Sequence, residues 1–95
     1  MMEITDVIWL DEVVDKIESR HRVTQTEVEE VLAGSPNIRK MLKGRFRGEH
    51  VYRALGRTGA GRYLTVLFIH KRRGEALILS AREMDRKERR SYGKK

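Results

Sequence analysis

Residues 62–82 read RYLTVLFIHKRRGEALILSAR and contain the two most apolar runs of the chain. RYLTVLFIHK and EALILSAR are apolar on both faces of an extended chain, which is typical of strands in the middle of a sheet. KRRG (71–74) lies between them and predicts a hairpin turn, because glycine accepts the backbone angles of a tight turn. This stretch therefore predicts two antiparallel strands at the centre of the fold.

A third strand is predicted before this pair. FRGEHVYRALGR (46–57) is mixed in polarity, which indicates a strand with one wet face, and TGAG (58–61) predicts the hairpin turn after it. We expect the three strands to be antiparallel neighbours. Residues 35–45, SPNIRKMLKGR, contain the only proline and are predicted to form a loop with a helical turn.

The first third of the chain predicts one strand and two helices. ITDVIWL (4–10) is a β-branched run and favours a strand. Asp11 is then expected to cap a helix over EVVDKIESRH (12–21). TQTE (24–27) has the pattern of a capping box and opens a second helix, which Gly34 ends.

The end of the chain predicts a short basic helix. Asp85 and Glu88 form a second cap pair, and the helix runs to about Tyr92, with a frayed tail at 93–95. The predicted order is β-α-α-β-β-β-α in a single α+β domain over residues 1–95. We expect an antiparallel sheet of about four strands with the helices on one side, which leaves the other side open to a ligand.

The composition excludes several classes of protein. There is no cysteine, so neither disulfides nor thiolate metal sites can hold the chain together. The first ten residues lack the features of a signal peptide, and the longest apolar run is far shorter than the roughly 20 residues of a membrane helix. The three histidines, His21, His50 and His70, form no recognisable metal set. We expect a soluble, cytoplasmic protein that uses no cofactor.

The charge is distributed unevenly along the chain. The net charge is +7, but residues 1–33 carry −6 and residues 34–95 carry +13. This asymmetry indicates a basic binding face on an otherwise acidic molecule. Nucleic acid is the partner class that it favours most, followed by an acidic protein. A membrane surface is least favoured, because the basic segments lack apolar anchors.

Arginines at the strand ends are the first candidates for a binding site. Residues two and four apart share a face of a strand, so Arg53 and Arg57 point the same way, as do Ser80 and Arg82. If the strand register puts both sets on one face, guanidinium groups cluster beside the basic helix. The alternative is that these arginines are solvated or paired with an acid of a helix.

His21 and Tyr92 are further candidates. His21 ends the first helix between Arg20 and Arg22, and its imidazole is a candidate general acid or base. The alternative for His21 is a surface or capping histidine. The alternative for Tyr92 is an aromatic side chain that fixes the last helix to the core.

The end of the chain, ILSAREMDRKERRSY (78–92), resembles the Ser-Ala-Arg, Glu-Arg and Tyr signature of BrnT-family toxins. These toxins belong to bacterial type II toxin–antitoxin systems. Other stretches that are similar to the family pattern are Trp9 with Asp11, Lys16, the triplet Arg20-His21-Arg22, and YRALGRT (52–58). The resemblance spans about residues 7–92. Departures from the family pattern fall at Arg22, Leu77 and Met84.

The resemblance implies a small ribonuclease with a RelE-like fold. It also implies a cognate antitoxin of the ribbon-helix-helix type that neutralises the toxin. The pair would repress its own operon, so that operator DNA is reached only through the antitoxin.

RNA can be cut without a metal because its own 2′-hydroxyl is the nucleophile. The enzyme must accept that proton, stabilise charge on the phosphoryl oxygens and protonate the leaving 5′-oxygen. Positioned arginines suit the second task, His21 suits acid–base catalysis, Glu88 would hold an arginine and Tyr92 would orient the substrate. The predicted catalytic residues are His21, Arg53, Arg57, Arg82, Glu88 and Tyr92, and the predicted RNA-binding residues are Lys87, Arg89 and Arg90.

Two other functions use the same sequence features. A non-catalytic RNA- or ribosome-binding module would use the basic surface without chemistry, and the departures from the family pattern favour it. A DNA-binding regulator that acts alone is disfavoured, because the second predicted helix, QTEVEEVLA, is acidic and phosphate would repel it.

Overall fold

The computed structural model describes residues 2–42, 44 and 49–93, and of Leu42 only the backbone. The elements along the chain are β1 (Asp6–Ile8), α1 (Asp11–His21), α2 (Gln25–Ala33), β2 (Asn37–Leu42), β3 (Val51–Arg57), β4 (Tyr63–His70), β5 (Glu75–Glu83) and α3 (Arg86–Gly93). The protein is α+β, as the sequence predicts.

The five strands form one mixed sheet in the order β1-β5-β4-β3-β2. β3, β4 and β5 are consecutive antiparallel neighbours, so both predicted hairpins are confirmed. The turns close with backbone hydrogen bonds from the N–H of Thr58 to Arg62 (2.9 Å) and from the N–H of Lys71 to Glu75 (2.8 Å). β1 lies parallel to β5 and pairs with residues 75–77.

The expectation of a loop with a helical turn at 35–45 is wrong. Within that stretch, residues 37–42 form β2, which pairs antiparallel with β3 and has a bulge at Met41. β2 extends the sheet to five strands, and the parallel strand β1 makes the sheet mixed rather than purely antiparallel. The predicted start of the third strand at 46 lies outside the described residues, and the described strand begins at Val51.

α1 and α2 cover one face of the sheet, which we call the core face. Ile17, Val28 and Val31 are buried against strand residues that alternate along β4 and β5. The strand side chains buried on this face are Ala54, Leu64, Val66, Phe68, Ala76, Ile78 and Ala81. Burial of such side chains stabilises the fold by about 1.5–3 kcal/mol for each large aliphatic or aromatic residue.

α3 packs on the opposite face, which we call the distal face. Glu88 of α3 contacts Thr65 and Arg82, and these two residues alternate with the core-face residues Val66 and Ala81. The expectation that all helices lie on one side is therefore wrong. The distal face accepts α3 because Thr65 and Arg82 offer partners to an acid of that helix.

The helix starts confirm two of the three predicted caps. Thr24 and Glu27 form the capping box of α2, with the Glu27 N–H donating to Thr24 Oγ1 (3.2 Å) and the Thr24 N–H to Glu27 Oε1 (3.0 Å). Asp85 and Glu88 make the same reciprocal pair at the start of α3. At α1 the expected cap is wrong, because Asp11 is already helical and Leu10 precedes it without a side-chain bond. No helix among the described residues is long and apolar enough to span a lipid bilayer.

Candidate nucleic-acid interface

The strand register brings the three candidate arginines of the sheet onto the distal face. Arg57 is the cross-strand partner of Tyr63, Arg53 of Leu67, and Arg82 of Thr65. Their neighbours in sequence, such as Ala54 and Ala81, point to the core face instead. The sheet thus carries these guanidinium groups on the same side as α3.

A bulge in β5 decides where Arg82 points. Ile78 pairs with Phe68 and Ser80 pairs with Leu67, so Leu79 is an extra residue in the ladder. Because of the inserted residue, the side chains after Leu79 point to the opposite face from the one that regular alternation would give them. Without it, Arg82 would share the core face with Ile78. The bulge therefore places Arg82 with Arg53 and Arg57.

Arg82 and Glu88 form a two-pronged ion pair between the sheet and α3. Arg82 Nη1 and Nη2 donate to the two carboxylate oxygens of Glu88 over 2.8 and 2.9 Å. The Thr65 hydroxyl (2.8 Å) and the Asp85 N–H (2.9 Å) donate to the same carboxylate. Glu88 is only 7 % exposed, so these four bonds hold a buried charge.

The surroundings of Glu88 keep it ionised. Burial raises the pKa of this carboxyl, but the bonds from Arg82, the Asp85 backbone and Thr65 outweigh burial and lower it to about 2. The same contact with Glu88 raises the pKa of Arg82. Both terminal nitrogens of Arg82 are engaged, so a phosphate would have to compete with Glu88 for them. The geometry makes this pair the attachment of α3 to the sheet.

Tyr63 is the centre of a second cluster on the distal face. The Cζ atom of Arg89 lies 3.7 Å from the centroid of its ring, and that of Arg57 lies 4.8 Å from it. The ring of Tyr92 meets Tyr63 edge to face, with 6.0 Å between centroids. Arg57 and Arg89 are exposed to solvent, so the cluster is a surface feature.

Arg53 lies four residues before Arg57 on β3 and is half-buried. Its Nε atom is buried and has no hydrogen-bond partner among the described residues. Its partner across the β2–β3 ladder is Arg39. Arg39 places a second cation beside Arg53, which makes this part of the distal face attractive to an anion.

His21 lies in a separate cleft at the edge of β5. The cleft has a volume of ≈ 310 Å³ and is lined by Arg20, His21, Arg22, Arg82 and Glu83. Beyond residue 77, β1 no longer covers this edge of β5. The structure thus brings His21 to Arg82, but Arg53 and Arg57 do not line the same cleft.

The predicted RNA-binding residues lie on α3. Lys87, Arg89 and Arg90 are all exposed. Arg89 and Arg90 line a shallow basic cleft of ≈ 510 Å³ together with Met84 and Arg86. This cleft continues the cationic surface outward from the Tyr63 cluster, because Arg89 belongs to both.

Arg62, Thr65 and Tyr63 are functional candidates that the sequence did not predict. Arg62 donates to Glu27 over 2.9 Å, to the carbonyl of Arg22 over 2.8 Å and to Glu83 over 3.2 Å. Burial raises the pKa of Glu27, but the Thr24 backbone and Arg62 outweigh burial and lower it. One feature of the sequence does point to Tyr63: the predicted hairpin turn TGAG (58–61) places a residue near position 62 opposite Arg57, and Tyr63 is that residue in the structure.

The other two histidines lie apart from these clusters. His50 and His70 meet the ring of Tyr52 edge to face, at 6.5 and 6.2 Å. His50 Nδ1 accepts a bond from the Gly44 N–H over 2.8 Å. Across the described ranges, no group of three His, Cys, Asp or Glu residues is placed to hold a metal ion.

In comparisons with known proteins, no protein-family model matches the chain, and no curated protein matches it. The functional assignment therefore depends on the chemistry of the side chains described above. That chemistry is a cationic face with two tyrosine rings, and a neighbouring cleft that contains a histidine.

Proposed function

We propose that the protein is a metal-independent endoribonuclease and acts as the toxin of a type II toxin–antitoxin system. The observation that carries the proposal is the convergence of Arg53, Arg57 and α3 on one face of the sheet. The charge of +13 on residues 34–95 supports a polyanionic substrate. The resemblance of 78–92 to BrnT-family toxins, and through them to a RelE-like fold, supports the same choice.

The proposed reaction is attack of the ribose 2′-oxygen on the adjacent phosphorus. The P–O5′ bond breaks, the 2′-proton goes to a base, and the 5′-oxygen receives a proton from an acid. The products are a 2′,3′-cyclic phosphate and a 5′-hydroxyl. Arg53 and Arg57 would stabilise the charge on the phosphoryl oxygens, and His21 would act as general acid or base.

The other candidate residues have supporting roles. Arg82 and Glu88 are positioning residues in this proposal, because their ion pair fixes α3 over the sheet. Tyr92 would orient the substrate or stack on a base. Lys87, Arg89 and Arg90 would hold the phosphates that flank the cleaved bond, since all three are exposed on α3.

The resemblance to BrnT-family toxins implies the type of antitoxin, and the cationic face suits an acidic segment of such a partner. An antitoxin of the ribbon-helix-helix type would cover it with an acidic segment and so exclude RNA. Operator DNA would be contacted by the antitoxin rather than by this chain. Such a system acts on RNA in the cytoplasm, which is where we propose that the protein works.

A non-catalytic RNA- or ribosome-binding module is the second candidate. Two observations favour it: the Arg82 fork is occupied by Glu88, and His21 lies in a cleft that Arg53 and Arg57 do not line. A binding module needs neither a free Arg82 nor a nearby base.

Incubation of the purified protein with end-labelled RNA in EDTA tests the proposal. We expect cleavage by the wild type, and fragments that end in a cyclic phosphate. Arg57→Gln should slow cleavage by about 10²–10³-fold, the usual effect of losing one preorganised charge donor. Arg72→Gln is the matched control, because this exposed arginine lies in the turn between β4 and β5.

His21→Gln separates the two candidate functions. In an enzyme that uses His21 as acid or base, this substitution changes the pH profile of cleavage and leaves RNA affinity intact. RNA that stays uncut after long incubation, with salt-sensitive binding, would establish the binding module instead.

A further inference from the structure

Tyr63 brings two guanidinium groups close together on the distal face. The Cζ atoms of Arg89 and Arg57 lie 3.7 and 4.8 Å from the centroid of its ring. In the part of the chain that the structure describes, neither arginine forms an ion pair. The negative face of the ring offsets some of the repulsion between the two cations, and a bound anion would offset more.

The contact with the face of the ring uses none of the N–H donors of these arginines. A guanidinium that lies against an aromatic ring uses its flat face, and its N–H groups point outward in its own plane. Arg82 differs, because Glu88 fills its fork with bonds of 2.8 and 2.9 Å. Of these three arginines, Arg57 and Arg89 are therefore the two for which an incoming anion does not compete with a carboxylate of the described residues.

We propose that Arg57 and Arg89 clamp a single phosphate group of the RNA backbone, and that Tyr63 is the positioning residue that holds both. The clamped phosphate is the one at the cleaved bond, so Arg89 joins Arg57 there and leaves the flanking phosphates to Lys87 and Arg90. This inference deepens the proposed function and rests on RNA being the ligand. A phosphodiester fits the pair, because its two unbridged oxygens accept hydrogen bonds from two guanidinium groups at once. Tyr63 acts through the arginines and need not touch the RNA.

The clamp is assembled from three elements of the fold. Arg57 ends β3 and is the cross-strand partner of Tyr63, which begins β4. Arg89 comes from α3, which the ion pair of Arg82 and Glu88 holds on the distal face. Gly61 leaves room for the clamp, because a Cβ atom there would lie 3.3 Å from Nη2 of Arg57.

Salt-dependent RNA binding measures the clamp directly. The probe is a fluorescent single-stranded RNA with 2′-O-methyl groups, which cannot be cleaved through its 2′-oxygens, and anisotropy is read in EDTA at several NaCl concentrations. For single strands, each phosphate contact contributes about 0.7 to the slope of log affinity against log salt.

The variants are Arg57→Gln, Arg89→Gln, both together, Tyr63→Leu and Tyr63→Phe. Arg72→Gln controls for the loss of a charge elsewhere.

If the two arginines share one phosphate, each single substitution lowers affinity by about tenfold but changes the slope little, because the remaining arginine still contacts that phosphate. The double variant loses the contact and should reduce the slope by about 0.7. Tyr63→Leu should match the double variant, whereas Tyr63→Phe keeps the ring and should bind as the wild type does.

Three results would overturn parts of this scheme separately. A slope reduced by about 1.4 in the double variant means that the arginines contact two phosphates, and the shared clamp is wrong. If a folded Tyr63→Leu variant binds like Tyr63→Phe, Tyr63 has no positioning role. Should Tyr63→Leu unfold in a thermal melt, the arginine variants decide the matter alone. A wild type that does not bind the RNA overturns the proposed function as well.

Discussion

Glu88 shows how one carboxylate determines where a whole helix lies. It is buried, yet it keeps its charge because four donors from three residues surround it. Removal of one partner of such a pair is costly, since the other partner is left buried and uncompensated. The functional interpretation of Arg82 changes accordingly, from a phosphate ligand to the residue that anchors α3.

Acid should weaken the fold through Glu88. Its pKa is about 2 in the folded protein and near 4.5 when unperturbed, so the stabilisation is complete above that higher value and is lost as the pH falls towards 2. We expect this group to account for about 2 kcal/mol of unfolding free energy between pH 5 and pH 2. Urea denaturation at several pH values measures it.

Glu88→Gln removes the titrating group, so its unfolding free energy should change less with pH over this range and should be lower than that of the wild type at pH 7. Glu12→Gln is the control, because Glu12 is exposed in the first turn of α1. An equal pH dependence for Glu88→Gln and the wild type would mean that this carboxylate does not stabilise α3.

The packing of helix α2 against strand β3 depends on Gly56, because a larger residue would meet α2. A Cβ atom at Gly56 would lie 2.9 Å from Cγ1 of Val31 and 3.3 Å from Cβ of Pro36. Gly56→Ala should therefore push α2 away from the sheet and cost about 1–3 kcal/mol. Gly93→Ala is the matched control, since no other atom of the described residues lies within 4 Å of a Cβ there. Equal melting temperatures for the two variants would contradict this account of the packing.

Prediction from sequence succeeds for elements whose pattern is local. The hairpins at 58–61 and 71–74 and the capping boxes of α2 and α3 each depend on neighbouring residues. β2 was missed because Arg39 and Lys40 give it no strand-like pattern, and pairing with β3 alone makes it a strand. The position of α3 was also out of reach, because it depends on contacts between residues that are distant in sequence.

The candidate site was predictable only in part, for the same physical reason. Alternation along a strand correctly grouped Arg53 with Arg57. The face on which Arg82 lies depends on the bulge at Leu79, and the residues around Leu79 contain no pattern that predicts a bulge. Tyr63 was overlooked because its importance comes from the register of two strands and the docking of a helix.

The whole molecule separates its charges between two sides. The acidic first 33 residues supply β1, α1 and α2, and the two helices lie on the core face. The distal face and α3 carry the arginines of the candidate site. An approaching polyanion is therefore attracted to one side of the molecule and repelled from the other, which orients the encounter before any contact forms.

This separation of charge predicts that RNA binding weakens steeply as salt is added. It also predicts that only substitutions on the distal side change that dependence. The proposed contacts involve three phosphates, one shared by Arg53, Arg57 and Arg89 and one each for Lys87 and Arg90. Log affinity should therefore fall against log salt with a slope of about −2, given roughly 0.7 for each phosphate contacted. Lys87→Ala should flatten that slope by about 0.7, and Glu12→Gln on the acidic side should leave it unchanged. Anisotropy titrations with single-stranded RNA measure both slopes. A slope near zero for the wild type, or equal changes for Lys87→Ala and Glu12→Gln, would mean that the RNA does not sit on the distal face.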